Sequence, residues 1–76
     1  MPRITPVPGH RLRRVFELAG FACTRIEGDH FIMTRPGLPR PLVIPDYAEV
    51  PVFIIRNNLR TAGLSREDYF RLLEQV

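Results

Sequence analysis

The sequence contains no lysine, only one cysteine (Cys23) and no long apolar stretch. A single cysteine excludes an intrachain disulfide and a zinc site built from several cysteines, and it is typical of a reducing compartment. No apolar stretch approaches the roughly 18 residues that a membrane-spanning helix needs, and the first residues lack the apolar run of a signal peptide. We therefore expect a cytoplasmic protein that does not interact with a membrane.

Because lysine is absent, all eleven basic residues are arginines, and the formal net charge is +3. The planar guanidinium group of arginine binds phosphate through two parallel hydrogen bonds. The many arginines therefore favour a polyanion as partner. Seven arginines and three acids precede Asp46 (net +4), whereas four arginines and five acids lie from Asp46 onward (net −1). This asymmetry predicts an anion-binding side and a neutral back. An equally simple origin of the arginines is codon bias in a GC-rich genome.

The 76 residues are enough for one domain with a thin core. Residues 1–8 include three prolines and are predicted to be extended, and residues 9–76 are predicted to form the domain. We expect an α+β fold in which a three-stranded antiparallel sheet carries helices on one face. Helices are predicted at 9–19, at 51–62 and from 65 onward, and strands at 21–27, 30–35 and 40–45.

Alternation in the strands predicts which side chains share a face of the sheet. Phe31 and Met33 are the bulkiest apolar pair of the second strand and are expected to face the core, which turns His30 to the other side. Strict alternation in the first strand places Arg25 on the same side as Cys23.

Two further patterns concern the helices after the sheet. The helix at 51–62 is predicted to bury a stripe that includes Ile55 and Leu59 and to leave Asn58 outside. Ser65, followed three residues later by Asp68, has the form of a capping box at the start of the last helix.

His30 directly follows a two-residue turn, Gly28-Asp29, which is typical of a tight hairpin. Free histidine titrates near pH 6.5 and can take or give a proton at neutral pH. RNA cleavage requires a base for the 2′-OH, an acid for the leaving oxygen and cations for the developing charge. His30 is therefore the candidate catalytic residue, and the alternative is a surface histidine in a turn. Asp29 could orient the imidazole or carry a proton, or it could only stabilise the turn.

Five arginines are candidates for binding RNA. Those on or beside the strands could supply cations to a reacting phosphate, and the two on the helix at 51–62 are four residues apart on one face. The alternative for the helical pair is solvated charge or contact with an acidic partner. The candidates are Arg25, Arg35, Arg40, Arg56 and Arg60.

Tyr47, in the loop after the third strand, could stack on a base or pack within its loop. A metal site built from His10, Cys23 and His30 would need an additional ligand and a spacing that the sequence does not show. The sequence has no glycine-rich phosphate-binding motif and no serine–histidine arrangement. We therefore expect neither a metal ion nor another cofactor.

Four segments, taken in order, resemble the HicA toxins, also called the YcfA-like family. The similarity runs from about Gly9 into the last helix, and it implies a fold like that of a double-stranded-RNA-binding domain, with the order α-β-β-β-α. The segments are Ala19-Gly20-Phe21, Gly28-Asp29-His30, Val43-Ile44-Pro45 and Ile55-Arg56-Asn57-Asn58-Leu59-Arg60-Thr61-Ala62-Gly63-Leu64-Ser65.

The resemblance also implies a function. HicA toxins belong to type II toxin–antitoxin systems and act as ribosome-independent mRNA interferases, and a HicB-like antitoxin covers their active site. The family's catalytic histidine lies in a Gly-Ser-His-like motif and maps onto His30, with Gly28 at the glycine and Asp29 where serine is common. Two alternatives remain open, a non-catalytic RNA-binding module of the same fold and a subunit that only binds an antitoxin-like partner.

Overall fold

Three helices and three strands follow one another in the predicted order in the computed structural model, which describes residues 2–76. The predicted α+β class is confirmed, and each predicted start lies within two residues of the observed one. Within the described residues, no helix is long and apolar enough to cross a membrane. The elements are α1 (Gly9–Leu18), β1 (Ala22–Glu27), β2 (His30–Thr34), β3 (Leu42–Pro45), α2 (Val52–Ala62) and α3 (Arg66–Leu73).

The sheet is antiparallel with the order β1-β2-β3, and α1 and α2 pack against it. Phe31 lies opposite Ile44 and Met33 lies opposite Leu42, and all of these side chains are buried. The prediction that Phe31 and Met33 face the core is therefore confirmed. The helix predicted at 9–19 is also confirmed as α1, and it contributes to the core three residues with no exposed surface, Leu12, Val15 and Phe16.

A β-bulge in β1 reverses the alternation that the sequence predicts. Cys23 pairs with Met33, but the next pair joins Arg25 to Ile32, so that β1 contains one extra residue between the two pairs. The extra residue turns Arg25 to the side away from the helices. The prediction that Arg25 shares the side of Cys23 is therefore wrong. We call this side the outer face and define it by the cross-strand row Arg25, Ile32 and Val43.

The segment before α1 packs into the core. Its Ile4 and Val7 are buried, and Val7 forms an isolated β-bridge with Val50. Gly9 begins α1 so close to the end of β3 that a Cβ there would lie 2.2 Å from the carbonyl oxygen of Pro45. Only glycine permits this approach, which fixes the start of α1 against the strand that leads into the loop after it.

Two arginines bind carbonyl groups at the ends of helices. Arg35 donates from one nitrogen to Ala19 O (3.3 Å) and from another to Ala62 O (3.2 Å), and its guanidinium lies 4.6 Å from the centre of the Phe21 ring. Arg11 donates to Leu73 O at 3.2 Å. Since helix C-termini carry unsatisfied carbonyls and partial negative charge, these contacts stabilise the packing of the helices.

The last two helices agree with the sequence except at one residue. Ser65 accepts a hydrogen bond from the Asp68 N–H at 3.1 Å, as predicted for the N-cap of α3. Asn58 is buried, so the prediction that it lies outside is wrong. It lies three residues after Ile55 and four before Ala62, which places it on the buried stripe in spite of its polarity.

Candidate active site

The turn between β1 and β2 positions His30. Gly28 has a φ of +60°, and within the described chain only glycines have positive φ. Glycine with positive φ at the first loop position of a two-residue hairpin is typical of a type II′ turn. Gly28 therefore contributes through its backbone, and it makes His30 the first residue of β2, opposite Glu27 on β1 and Pro45 on β3.

The imidazole of His30 is held on one side and open on the other. Its Nδ1 lies 2.8 Å from Oδ1 of Asp29, a distance that makes an ion pair when the ring is protonated. Its Nε2 makes no hydrogen bond to residues 2–76. The His30 side chain is 40% exposed, so that a ligand can reach it. The ring lies on the outer face because it is two residues before Ile32 on the same strand.

Tyr47 is the aromatic neighbour of His30. The two ring centres are 6.4 Å apart with planes at 70°, and Tyr47 is 42% exposed. Two backbone hydrogen bonds hold its loop, one from the Gly9 N–H to Tyr47 O (2.8 Å) and one from the Asp46 N–H to Asp29 O (2.6 Å). The loop is thereby tied both to the start of α1 and to the turn that carries His30.

The charged residues nearest to His30 in the sheet are mostly acidic. Asp29 contacts the ring, and Glu27 is its cross-strand partner. Among the arginines predicted for RNA binding, Arg25 shares the outer face with His30 and forms an ion pair with Glu27. The bulge in β1 thus brings one cation to this face and partly neutralises an acid beside the histidine.

The other predicted arginines lie elsewhere. Arg35 follows the far end of β2, five residues or about 17 Å along the strand from His30, and its guanidinium is occupied by helix carbonyls. Arg40 precedes the same end of β3 and lines a cavity of about 280 Å³ together with Arg60. Arg56 lines a different cavity. The structure therefore does not bring Arg35 and Arg40 to the histidine, although the prediction placed them on or beside strands next to it.

No group of three or more His, Cys, Asp or Glu residues that could hold a metal ion occurs within residues 2–76. Cys23 is half-buried and unpaired there, and its thiol contacts the carbonyl oxygen of Arg25 at 3.4 Å. The groups that the site presents around His30 are the imidazole, the adjoining carboxylate and an aromatic ring.

Comparison with protein families gives one match. The model of the family described as HicA toxin of bacterial toxin–antitoxin matches residues 9–64, which is more than half of the chain. The matched region runs from the first residue of α1 to the residues just before α3, and it includes His30. No curated protein matches the chain.

Proposed function

The chain belongs to the HicA toxin family, and from this premise we propose that it is an mRNA interferase, an endoribonuclease that cleaves RNA and thereby inhibits translation. The observation that carries the proposal is the geometry of His30. Nδ1 of the ring lies 2.8 Å from Oδ1 of Asp29, Nε2 is unpartnered within the described residues, and an exposed tyrosine lies beside the ring. An mRNA substrate would place the activity in the cytoplasm.

The chemistry proposed for His30 is proton transfer. Nε2 takes the proton of a 2′-OH, the 2′-oxygen attacks the adjacent phosphorus, and the bond from phosphorus to the 5′-oxygen breaks to leave a 2′,3′-cyclic phosphate. The departing 5′-oxygen takes up a proton, which the imidazolium formed in the first step can supply. Asp29, 2.8 Å from Nδ1, keeps the ring oriented and balances its charge while it carries the proton.

Two neighbours of His30 would bind the substrate around the reacting bond. Tyr47 presents an exposed ring on which an unpaired base can stack, the contact by which single-stranded RNA is usually held. Arg25 shares the outer face and would offer a cation to the phosphate oxygens. No metal ion takes part in this scheme.

The test is induced expression of wild type and His30→Ala in a bacterial host, followed by RNA cleavage with the purified proteins in EDTA. We expect wild type to arrest growth and to cut RNA, and His30→Ala to lose about 10²–10⁴-fold in cleavage rate, because general acid–base catalysis contributes that much. His10→Ala is the matched control, since His10 is the other histidine and is exposed in α1.

Circular dichroism must show that His30→Ala is folded, and His30→Gln provides a second variant of similar size. Equal cleavage by wild type and both folded variants would remove His30 from the mechanism. If EDTA abolishes cleavage by wild type, the metal-independent mechanism is wrong.

The family also implies an antitoxin partner. We propose that a HicB-like antitoxin covers the outer face at His30 and so excludes RNA. The second candidate function is a non-catalytic module that binds RNA or the antitoxin. The acidic residues beside His30, Glu27 and Asp29, disfavour an RNA phosphate at this place and so favour the antitoxin as its ligand. It predicts that no purified form cuts RNA and that His30→Ala leaves binding unchanged.

A further inference from the structure

A second basic site lies away from His30, between the segment before α1 and the last two helices. A cavity of about 330 Å³ is lined by residues 3–6, by Val52 and Arg56 of α2 and by Arg66 of α3. Its walls include the guanidinium-bearing residues Arg3, Arg56 and Arg66 and no acidic residue. Such a volume is several times the roughly 30 Å³ that one water occupies in the liquid, so the cavity has room for a phosphate group with part of its hydration.

The charges of these arginines are not neutralised within the protein. None of the three forms an ion pair with a carboxylate in the described chain, whereas other arginines do, including Arg14 with Glu17 and Arg71 with Asp68. The cavity therefore combines positive charges that repel one another until an anion binds.

Arg66 is oriented by its surroundings but keeps a donor free. One of its terminal nitrogens donates to Pro2 O, and its guanidinium lies 5.7 Å from the centre of the Phe70 ring. Its Nε is buried and has no hydrogen-bond partner among residues 2–76. A buried donor without a partner is costly. The other terminal nitrogen of Arg66 makes no hydrogen bond among residues 2–76 either, and it is the donor that we assign to an oxyanion in the cavity.

The start of α2 adds to the positive potential. Val52 lies in the first turn, the preceding Pro51 gives no side-chain cap, and the turn contains no acidic residue. Uncapped N–H groups and the helix dipole favour an anion at this end. The adjacent cavity, which shares Arg66, is lined by Glu67 and Glu74 as well and lacks this uniform charge.

We infer that the cavity of Arg3, Arg56 and Arg66 is an oxyanion site for a phosphate group of the RNA backbone away from the bond that is cut. The identity of the ligand as RNA rests on the proposed function, whereas the preference for an oxyanion rests on the cavity itself. Tyr47 and Val52 are five residues apart, so their Cα atoms lie at most about 18 Å from each other. A strand of about five nucleotides, at roughly 3.4 Å each, is therefore long enough to span the distance between these two residues.

The test measures binding of a short RNA oligonucleotide whose 2′-hydroxyls are all methylated, which prevents cleavage. Fluorescence anisotropy gives its dissociation constant between about 50 and 200 mM NaCl for wild type and for the double variant Arg3→Gln/Arg56→Gln. We expect the variant to bind at least tenfold more weakly at low salt. We also expect the slope of log K against log salt to fall by about 1.4, or 0.7 for each lost phosphate contact on a single strand.

The double variant Arg14→Gln/Arg71→Gln is the matched control. It removes the same net charge from exposed arginines that are paired with acids, and we expect it to change the dissociation constant less than threefold. Inorganic phosphate and hexaglutamate serve as competitors, and we expect phosphate to displace the oligonucleotide from wild type at millimolar concentration and hexaglutamate to be weaker.

The inference is overturned if both double variants bind the oligonucleotide equally. It is also overturned if hexaglutamate binds the cavity better than RNA does, because an acidic protein segment would then be its ligand. The proposed activity is judged separately. If cleavage depends on His30 but RNA binding does not depend on Arg3 and Arg56, only the inference about the cavity is wrong. If RNA binding depends on these arginines but no cleavage occurs, only the proposed nuclease activity is wrong.

Discussion

Asp29 contributes to the candidate site through both its side chain and its backbone. The carboxylate contacts His30 Nδ1 at 2.8 Å, and the backbone carbonyl accepts from the Asp46 N–H at 2.6 Å. The first contact lies at the ring for which we propose proton transfer, and the second holds the loop of Tyr47. Only the first depends on the charge of the side chain, so the two roles can be separated by substitution.

Asp29→Asn should therefore lower kcat for RNA cleavage by about tenfold, equivalent to about 1.4 kcal/mol in the barrier, and leave KM nearly unchanged. The amide keeps the shape of the turn but removes the negative charge beside Nδ1, which then no longer balances the charge of the protonated ring. Asp46→Asn is the control, because Asp46 is the next exposed acid of the same loop system. An unchanged kcat in Asp29→Asn would mean that Asp29 only stabilises the turn.

Tyr69 is fully buried, and its hydroxyl has no hydrogen-bond partner within residues 2–76. Burial raises the pKa of Tyr69 above its ordinary value of 10.0, with a smaller opposing effect of Arg11. The unfolded chain loses this proton near pH 10 while the folded chain retains it. The free energy of unfolding should therefore fall above pH 10, by up to about 1.4 kcal/mol per pH unit from this group.

Tyr69→Phe should remove that part of the pH dependence and, since it deletes an unpaired buried hydroxyl, should raise the free energy of unfolding at pH 7 by about 1 kcal/mol. Urea unfolding at pH 7 and above pH 10 measures both effects. Tyr47→Phe is the comparison, because Tyr47 is exposed. A clear loss of stability at pH 7 would mean that the Tyr69 hydroxyl has a partner after all.

Single residues were predicted from the sequence where local chemistry decides their position. His30 was located because a glycine turn fixes where β2 begins, and Ser65 because its hydroxyl caps α3. Asn58 was predicted wrongly to lie outside, because its polarity outweighed the helical spacing that places it on the buried stripe. The unpaired hydroxyl of Tyr69 likewise depends on tertiary packing that a sequence pattern does not contain.

At the scale of secondary-structure elements, Arg35 joins two helix ends to the sheet. It binds the carbonyl of Ala19 after α1 and that of Ala62 at the end of α2, and it stacks on Phe21. These contacts require a planar group with several divergent donors. A lysine ammonium is a compact charge that does not stack in the same way or reproduce the fork.

Arg35→Lys should therefore lower the free energy of unfolding by about 1–2 kcal/mol, the value of one or two lost hydrogen bonds of this kind, although the charge is retained. Urea unfolding at neutral pH measures the change. Arg40→Lys is the matched control, because Arg40 is exposed and makes no hydrogen bond with the described chain. Equal stability of both variants would show that charge alone accounts for the role of Arg35.

The order of helices and strands was predictable because hydrophobic spacing and turn residues are local signals. The bulge in β1 was not, because the sequence of β1 reads as an uninterrupted strand and the extra residue is revealed only by its pairing with β2. The bulge decides the candidate site, since it turns Arg25 to the face of His30.

For the molecule as a whole, the sequence predicted an anion-binding side from the arginines of its first half. Several of those arginines serve the fold instead, because Arg11 and Arg35 bind helix carbonyls and Arg13 pairs with Glu17. The cavity of the proposed oxyanion site takes its arginines from three distant segments, at positions 3, 56 and 66. Net charge is readable from composition, but its spatial distribution requires the tertiary structure.

The hydrogen bonds from Arg11 to Leu73 O and Val76 O span 62 and 65 residues, and Arg66 binds Pro2 O across the same two regions. At a translation rate of about 5–20 residues per second, the residues that complete the packing of α1 are therefore synthesised several seconds after α1 itself. Contacts of such long sequence separation form late in folding. A chain whose synthesis stops before α3 would contain β1, β2 and His30 but would lack part of its hydrophobic core. We expect quality-control proteases to degrade such a chain before it could act as a stable toxin.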